Sequence, residues 1–355
     1  MTVAEEITEI TEKLVEFKTV KDNEQEFERA FQYIEDYLSG TGLDINRYEF
    51  DGTRSMVIST DEDPDIMFHG HVDVVPADEE LFEPRIEDGK IYGRGTSDMK
   101  AGLAALMKLV KDKSSEGLSI GLMIVTDEET GGFQGAKKLS DKFSPDFFIS
   151  AEPNNTEGYM EIITEQKGVI KADISAEGKN AHAARPWNGE NAAEKLWERF
   201  EQVRDNFSTR KEDWGTTVNM GTFTAEGATN VVPDEAEAGL DIRWTEEYPP
   251  EEIRKDFEAV EGLNLTVNSE EPMLKTETGN SFVQLLKDAS EEVIDEGVSF
   301  VRKEPASDAR HFSRKGVPGV VFGPEGYEVH EDGEYAVISS FGDYYRALEK
   351  FLEKV

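Results

Sequence analysis

The chain has 355 residues, more than one ordinary hydrophobic core organises, and this length favours two domains. Its 76 acidic and 38 basic residues give a formal net charge of −38, which repels phosphate backbones, so nucleic acid is not an expected partner. The absence of cysteine excludes disulfides, thiolate metal sites and thiol nucleophiles, so any metal ion must be bound by histidine and carboxylate.

The acidic residues are spread along the chain rather than collected in a tail. An even acidic coat is typical of proteins from salt-loving organisms, because dissolved salt screens the self-repulsion. A merely acidic mesophilic enzyme is the alternative. The N-terminus lacks the regions of a signal peptide, and no segment has the roughly 18 apolar residues that span a bilayer. We therefore expect a cytoplasmic protein without membrane contact.

The first part of the chain alternates helices and strands. Apolar periodicity predicts helices over 4–17, 24–38 and about 99–112, and a short helix near 133–140. The apolar strands DIMFHGH, SIGLMIVT and DFFISAE lie among them. Apolar strands separated by helices predict an α/β fold with much parallel pairing.

The pattern changes near Lys167, where VIKADISA alternates polar and apolar residues as a half-exposed strand does. A helix over 190–206, the strands TTVNMGTFT and EAEAGLDIRW, a helix near 250–260 and the strand LNLTVN follow. This β-α-β-β-α-β order is that of a split-βαβ sandwich.

The helical pattern returns after Gly279 and ends in a helix near 340–353. The predicted fold class is α/β: a mixed, largely parallel sheet flanked by helices, with an inserted α+β split-βαβ domain. The predicted domains are a discontinuous α/β domain, 1–168 and 277–355, and an inserted domain, 169–276.

Several polar side chains stand where predicted strands end in loops, the edge at which open parallel sheets bind ligands. His71 follows an apolar run in HGHVDVVP, and Asp73 lies on the same side of an extended chain. Asp98 precedes a helix in GRGTSDMKAG, where capping of that helix is the competing interpretation.

Glu128 and Glu129 follow a buried strand in TDEETGG, and on extended backbone they point opposite ways, so one can bind metal while the other remains a free base. Glu152 ends an apolar strand, where a carboxylate is costly unless it is paired or metal-bound. His330 lies in a loop before the last helix. Each signal is weak by itself, but together they supply one base and five ligands.

These motifs, with SAEP and NAHAARPWNGENA between them, occur in an order that resembles the aminoacylase/carboxypeptidase family of co-catalytic zinc hydrolases. The family includes succinyl-diaminopimelate desuccinylase, acetylornithine deacetylase, glutamate carboxypeptidase and carrier-protein hydrolases of lysine synthesis. The resemblance covers nearly the whole chain. It implies a di-zinc exopeptidase-like fold, in which the inserted domain is a lid and also forms a homodimer.

The resemblance implies two divalent metal ions, with zinc preferred over cobalt or manganese. It implies five ligands: His71 and Glu152 on one ion, Glu129 and His330 on the other, and Asp98 between them. It further implies that Asp73 orients His71 and that Glu128 is the general base which activates a metal-bridging hydroxide.

The resemblance also implies four residues that act on the substrate. His182 matches a lid histidine that stabilises the oxyanion, and Asn230 and Arg243 match lid positions that bind substrate. Arg310 matches a site for a substrate carboxylate. For Arg243 a solvated arginine is the alternative, and for Arg310 an ordinary ion pair. His69 and His311 are expected to be structural.

The predicted function is hydrolysis of the amide bond of a small N-acyl amino acid, of the acetylornithine deacetylase or succinyl-diaminopimelate desuccinylase type. The alternative within the same chemistry is a metallo-dipeptidase or carboxypeptidase acting on a short peptide. A non-catalytic scaffold and an acidic nucleic-acid mimic are hypotheses from other classes. The loop around His330 is unusually acidic for an enzyme that binds carboxylates, so either its side chains point to solvent or the substrate is less anionic. These acidic residues are Glu325, Glu328, Glu331, Asp332 and Glu334.

Overall fold

The computed structural model describes residues 1–155, 160–210, 213–294 and 297–355. The chain divides into two compact units. The first unit comprises Met1–Gln166, Leu274–Lys303 and Ser307–Val355, and the second comprises Lys167–Met273 and Glu304–Ala306. Sequence periodicity did not indicate that Glu304–Ala306 belongs with the second unit.

The α-helices of the described residues are α1 (Val3–Val15), α2 (Glu24–Leu38), α3 (Ala101–Lys113), α4 (Ala136–Leu139), α5 (Ala192–Arg204), α6 (Pro250–Glu258), α7 (Ser281–Glu291), α8 (Ala309–Ser313) and α9 (Ile338–Leu352). The strands are β1 (Asp44–Phe50), β2 (Thr53–Ser59), β3 (Ile66–His71), β4 (Arg85–Glu87), β5 (Lys90–Tyr92), β6 (Ile120–Val125), β7 (Phe147–Ser150), β8 (Met160–Gln166), β9 (Gly168–Glu177), β10 (Ala181–His182), β11 (Thr217–Thr224), β12 (Val231–Val232), β13 (Glu235–Trp244), β14 (Asn264–Glu271), β15 (Leu274–Lys275), β16 (Val298–Lys303), β17 (Gly319–Val321), β18 (Gly326–Tyr327) and β19 (Tyr335–Val337).

The first unit is built on a mixed sheet in the order β1-β2-β6-β3-β7-β17-β8-β15, with β16 beside β8. Its centre, β6-β3-β7-β17, is parallel throughout, and antiparallel pairs lie on both sides. Because parallel strands end at the same edge, the residues that follow β3, β6 and β7 are brought together.

Both faces of the parallel strands are buried, which explains their nearly continuous apolar sequences. Phe68 and Leu122 belong to one core, formed with α1, α3, α7 and α9. Met67 and Met123 point into a second, smaller core that includes Phe312 of α8. Helix α3 packs closely on the sheet, since a Cβ at Gly102 would lie 2.2 Å from the carbonyl oxygen of Ala151.

The second unit is an antiparallel sheet in the order β11-β13-β9-β14. Strand β9 alternates buried and exposed residues along its length. Its buried face packs with α5 and α6 in a core of its own. The predicted fold class, a mixed and largely parallel α/β sheet with an inserted split-βαβ domain, is confirmed.

The search for membrane spans found, within the described part of the chain, no helix with the length and apolar character needed to cross a bilayer.

Candidate active site

Four of the predicted site residues are placed by the carboxyl ends of three parallel strands. His71 is the last residue of β3, the turn of Glu128 and Glu129 begins just after β6, and Glu152 follows β7. Asp98 and His330 come from a turn before α3 and from the loop between β18 and β19. The structure brings all five candidate ligands into one region of the first unit, as their contacts show.

His71 is completely buried, and its two ring nitrogens have different partners. Nδ1 lies 2.9 Å from the backbone carbonyl of Asp73 and 3.5 Å from the Asp73 carboxylate. Nε2 lies 3.1 Å from Asp98 Oδ1. Because Nδ1–H donates to the carbonyl, Nε2 is the nitrogen available to a metal ion. The geometry is therefore compatible with the predicted role of Asp73, with the backbone carbonyl making the shorter contact.

Asp98, Glu129 and His330 form the tightest group of potential ligands. One ligand atom from each lies within 4.8 Å of the other two, and His330 Nε2 is 3.0 Å from Glu129 Oε2 and 3.5 Å from Asp98 Oδ2. Hydrogen bonds to Asp98 and Glu129 raise the pKa of His330 to about 10. Burial opposes ionisation of Asp98, but hydrogen bonds from His330 and His71 lower the pKa of its carboxyl.

The competing interpretation of Asp98 as a helix cap does not describe the structure. Helix α3 begins at Ala101, and its N-cap position is Lys100, with no side-chain cap bond. Asp98 lies in the preceding turn, where its backbone is not helical. Its carboxylate is therefore directed to histidines rather than to the start of the helix.

Glu152 belongs to the same group of charges, because it interacts electrostatically with Asp98 and His71. Loss of hydration, reinforced by the charge of Asp98, raises the pKa of Glu152 to about 8. The hydroxyl of Ser150 is 3.4 Å from Glu152 Oε1, and the buried His69 Nδ1 is 3.0 Å from the same hydroxyl. His69 therefore contacts Glu152 indirectly, through the Ser150 hydroxyl at the end of β7. This is a structural contact.

Glu128 is held in a tight turn rather than in the extended backbone that its sequence suggested. Glu128–Thr130 form a 3-10 turn, so the prediction of extended geometry was wrong. The turn closes through Gly131 and Gly132, both at positive φ, and a Cβ at Gly132 would lie 1.9 Å from Asp308. Loss of hydration and the charge of Glu152 raise the pKa of Glu128 well above its usual value.

Asp73 and Arg310 fix this turn from two sides. The backbone N–H of Glu129 donates to Asp73 Oδ2 over 2.9 Å. Arg310 Nη2 donates to the carbonyl of Gly131 over 2.8 Å, and His311 Nε2 is 3.3 Å from the same oxygen. The role of Asp73 in holding Glu129 was not predicted, because only the fold brings β3 beside the turn.

Arg310 is only 4% exposed, and its contacts are with the protein itself. Besides Gly131, its Nη1 lies 3.9 Å from the buried Asp308. The binding of a substrate carboxylate by Arg310 stays a prediction. The low exposure of His311 and its contact with Gly131 agree with the structural role expected for it.

The candidate substrate residues of the second unit lie at its surface. His182 and Asn230 are exposed and adjacent, since β10 pairs with β12 and Ala183 N–H donates to the carbonyl of Asn230. Arg243 is on β13, where its Nε and Nη2 bind the carboxylate of Asp241 at 2.8 and 3.2 Å. The roles of these three residues stay predictions.

The acidic side chains of the loop near His330 differ in their exposure to solvent. Glu328, Glu331 and Asp332 are exposed, as one of the two interpretations expected. Glu334 is instead buried and forms an ion pair with Arg94. Sequence reasoning missed this pair, and the only local signal is that Arg94 stands within the GRGTSD motif.

The donor set fits a divalent metal centre. Imidazole nitrogens and carboxylate oxygens are ligands that zinc accepts, and cobalt and manganese accept them too. Burial and, after it, the charges of neighbouring carboxylates raise the pKa values of Glu128 and Glu152. A bound cation would offset the repulsion among the four carboxylates, which are Asp98, Glu128, Glu129 and Glu152.

Comparisons of this chain with a family model and with known sequences agree with each other. A model described as peptidase family M20/M25/M40 matches residues 67–354. The chain is 25% identical over 365 residues to a succinyl-diaminopimelate desuccinylase of Sulfurovum sp., with 98% of each chain covered. It is 28% identical over 366 residues to the enzyme of the same name from Methylorubrum populi, with 91% of this chain and 93% of that one covered.

Comparison with solved structures gives the same fold. A tripeptidase from Staphylococcus aureus has a TM-score of 0.81 at 22% identity, and aminopeptidase PepT from Bacillus cereus has 0.79 at 21%. Both alignments cover 99% of this chain and 98% of the other. Because the family match extends over most of its length, the chain belongs to peptidase family M20/M25/M40 and is a metal-dependent hydrolase of amide bonds.

Proposed function

We propose that this protein hydrolyses the amide bond of a small N-acyl amino acid, with Glu128 as general base beside two divalent metal ions. The observation that carries the proposal is the convergence of His71, Asp98, Glu129 and His330 at 3.0–3.5 Å contacts, next to two carboxyls with raised pKa values. Such a cluster of ionisable groups, next to carboxyls of perturbed pKa, is typical of a catalytic site.

In this proposal His71 and Glu152 would hold one ion, Glu129 and His330 would hold the other, and Asp98 would help to hold both. Zinc is the ion we expect, with cobalt or manganese as substitutes. When bound, the ions supply Lewis-acid polarisation of the scissile carbonyl and lower the pKa of water.

The chain's own residues would carry the protons. Glu128 takes a proton from the attacking water and gives it to the leaving amine. Its pKa is raised in the metal-free protein, and nearby cations would lower it and so favour the carboxylate form that a general base needs. His182 would donate a hydrogen bond to the oxyanion, a contact that strengthens as charge develops.

The substrate class rests on the named relatives. The two enzymes from Sulfurovum and Methylorubrum are named for desuccinylation and align with this chain over nearly its full length. They favour an N-acyl amino acid, bound through Asn230, Arg243 and Arg310. The second candidate is a dipeptidase or carboxypeptidase, and proteins with these names, from Sulfolobus solfataricus and human, are among those that share the fold.

A substrate panel separates the two. N-succinyl-diaminopimelate, N-acetylornithine and several dipeptides are compared at equal enzyme, with cobalt or zinc added to chelator-treated protein. We expect kcat/KM for one of the N-acyl amino acids to be the highest. A clear preference for dipeptides would reject the deacylase role while leaving the metal chemistry intact.

We further propose a homodimer formed through the second unit. Strand β11 is at the edge of its sheet, and no other described strand pairs with its outer side. Phe223 on this strand is 42% exposed, and open edges with exposed apolar side chains are common association sites. Light scattering after gel filtration should give twice the monomer mass, and Phe223→Asp should lower it.

A salt-loving source is part of the proposal and has its own test. A net charge of −38 opposes the compact state at low salt, and raising the salt from 0.1 to 1 M shortens the screening length from roughly 10 to 3 Å. We expect the melting temperature to rise steadily over this range in KCl. A melting temperature independent of salt would favour the mesophilic alternative.

A further inference from the structure

One buried ion pair joins the two segments that carry Asp98 and His330. Arg94 precedes the Asp98 turn, and Glu334 follows the His330 loop. Arg94 Nη1 donates to Glu334 Oε2 over 2.7 Å, and the two side chains are 3% and 2% exposed. Removing two charges from water is costly, so a pair this deeply buried persists only where further hydrogen bonds satisfy it.

The carboxylate of Glu334 supplies those bonds to the Asp98 turn. Its Oε2 accepts from the backbone N–H of Gly95 over 2.9 Å, and its Oε1 accepts from those of Ser97 and Asp98 over 3.0 and 3.1 Å. Charge-assisted bonds of this kind are about twice as strong as neutral ones. The backbone of Asp98 is therefore placed by a residue from the far end of the chain.

The guanidinium of Arg94 holds the His330 loop in the same way. Nη2 donates to the carbonyl of His330 over 3.2 Å, and Nη1 donates to that of Glu331 over 3.1 Å. His330 has a φ of 65°, which residues other than glycine seldom adopt. The planar fork of arginine donates to the carboxylate and to both carbonyls from two separate nitrogens, a geometry that the single nitrogen of a lysine does not reproduce.

We propose that Arg94 and Glu334 are positioning residues, which fix the backbones of Asp98 and His330 relative to each other so that the metal site is preformed. The inference rests on the proposed function, since it takes Asp98 and His330 to be metal ligands. The pair acts through backbone groups of the ligands rather than through their side chains. A pair that served only stability would alter the melting temperature and leave the metal affinity of the folded protein unchanged.

The test is the binding of Co²⁺ to the metal-free protein, followed by calorimetry and by the visible absorption of the bound ion. Glu334→Gln keeps the size of the side chain, but whichever way the amide turns, its NH₂ faces backbone or guanidinium N–H groups. We expect two ions in the wild type, with at least one bound about 10–100-fold more weakly in Glu334→Gln. Asp332→Asn removes the same charge from an exposed position in the same loop and should keep wild-type affinity.

A double variant separates positioning from stability. Glu334→Gln alone leaves the Arg94 charge buried and unpaired, which by itself destabilises a protein. Adding Arg94→Met removes that charge, so the melting temperature should return towards the wild-type value while Co²⁺ affinity stays weak. Recovery of both quantities in the double variant would overturn the positioning role.

The remaining outcomes are distinct. Wild-type Co²⁺ affinity in Glu334→Gln overturns the inference and leaves the proposed function standing. A wild-type protein that binds no Co²⁺ overturns both, because Asp98 and His330 would then not be ligands.

Discussion

The two units of the chain present their candidate functional side chains in different ways. In the first unit, His71 is bound by the carbonyl of Asp73, the backbone of Asp98 is bound by Glu334, and the backbone of Glu129 is bound by Asp73. In the second unit, His182 is exposed, and its Nδ1 accepts a local hydrogen bond from the backbone N–H of Ala184.

The difference is between side chains that become ordered when the protein folds and side chains that become ordered when the substrate binds. Side chains fixed by buried bonds lose their conformational entropy when the protein folds, so they can bind metal or stabilise charge without reorganisation. Exposed side chains lose it on binding. Variants of the candidate metal ligands in the first unit should therefore change metal affinity or stability, and variants at His182 should change rate alone.

The largest effect is expected at Glu128. Glu128→Gln should lower kcat by about 10²–10⁴-fold, the usual contribution of a general base. Two metal ions should remain bound, and the melting temperature should be unchanged or higher, because the variant removes a carboxyl whose charged form is disfavoured. Initial rates, metal analysis and calorimetry check the three quantities.

The neighbouring Glu129→Gln is the matched control for this comparison, since it makes the same chemical change one residue along the turn. Its side chain belongs to the group with Asp98 and His330, so it should lose metal affinity as well as rate. If Glu128→Gln worked at nearly the wild-type rate, the proposed mechanism would be wrong.

The next effect is at His182, in the exposed region. His182→Ala should lower kcat by about 10²–10³-fold, the loss typical of one oxyanion donor. Metal content and melting temperature should stay at their wild-type values, because the side chain is exposed. An unchanged kcat would mean that His182 of the second unit takes no part in the chemistry. A lower melting temperature would contradict the expectation that this exposed side chain contributes little to stability.

The pH dependence of stability tests whether the candidate site of the first unit binds a cation in place of a proton. In the metal-free protein the pKa of Glu152 is about 8 against an ordinary 4.5, so the folded state holds a proton that the unfolded chain has released. The stabilising contribution of this group is present below pH 4.5 and is lost as the pH rises through 8. A bound metal ion would take the place of the proton.

Added zinc should therefore raise the melting temperature more at pH 8 than at pH 5.5. At a free metal concentration 100 times the Kd, the stabilisation should be about 2.7 kcal/mol for each ion bound. Thermal scans with chelator and with metal at both pH values give the comparison. An equal or larger increment at pH 5.5 would show that protons and metal do not compete in this region.

The fold and the metal-site candidates were accessible from sequence because their signals are local. Apolar runs ending at His71 and Glu152 mark strand ends, and a parallel sheet brings such ends to one edge. Each short motif alone was a weak signal, and the resemblance of the ordered set to a family of zinc hydrolases assigned these residues as candidate ligands. The tertiary contacts among them were not needed for the prediction.

The contacts that hold the site were not accessible, because they join distant segments. Glu334 stands among exposed acids of one loop, and nothing local distinguishes it from Glu331 or Asp332. Its burial depends on Arg94, 240 residues earlier in the chain. The turn at Glu128 was also missed, since Gly132 accommodates an Asp308 carboxylate that only the folded chain brings there.

The smallest effects are expected at Arg310 of the first unit and Arg243 of the second, which can be compared in the same way. Arg310→Ala should lower stability by about 1–3 kcal/mol, because the carbonyl of Gly131 loses a buried donor and Asp308 loses a nearby cation. Arg243→Ala should change stability by no more than about 0.5 kcal/mol, since its ion pair with Asp241 is partly exposed. If Arg243 binds substrate, KM should rise while the melting temperature stays constant. Denaturant unfolding and KM measured on both variants would contradict this if Arg243→Ala were the less stable of the two.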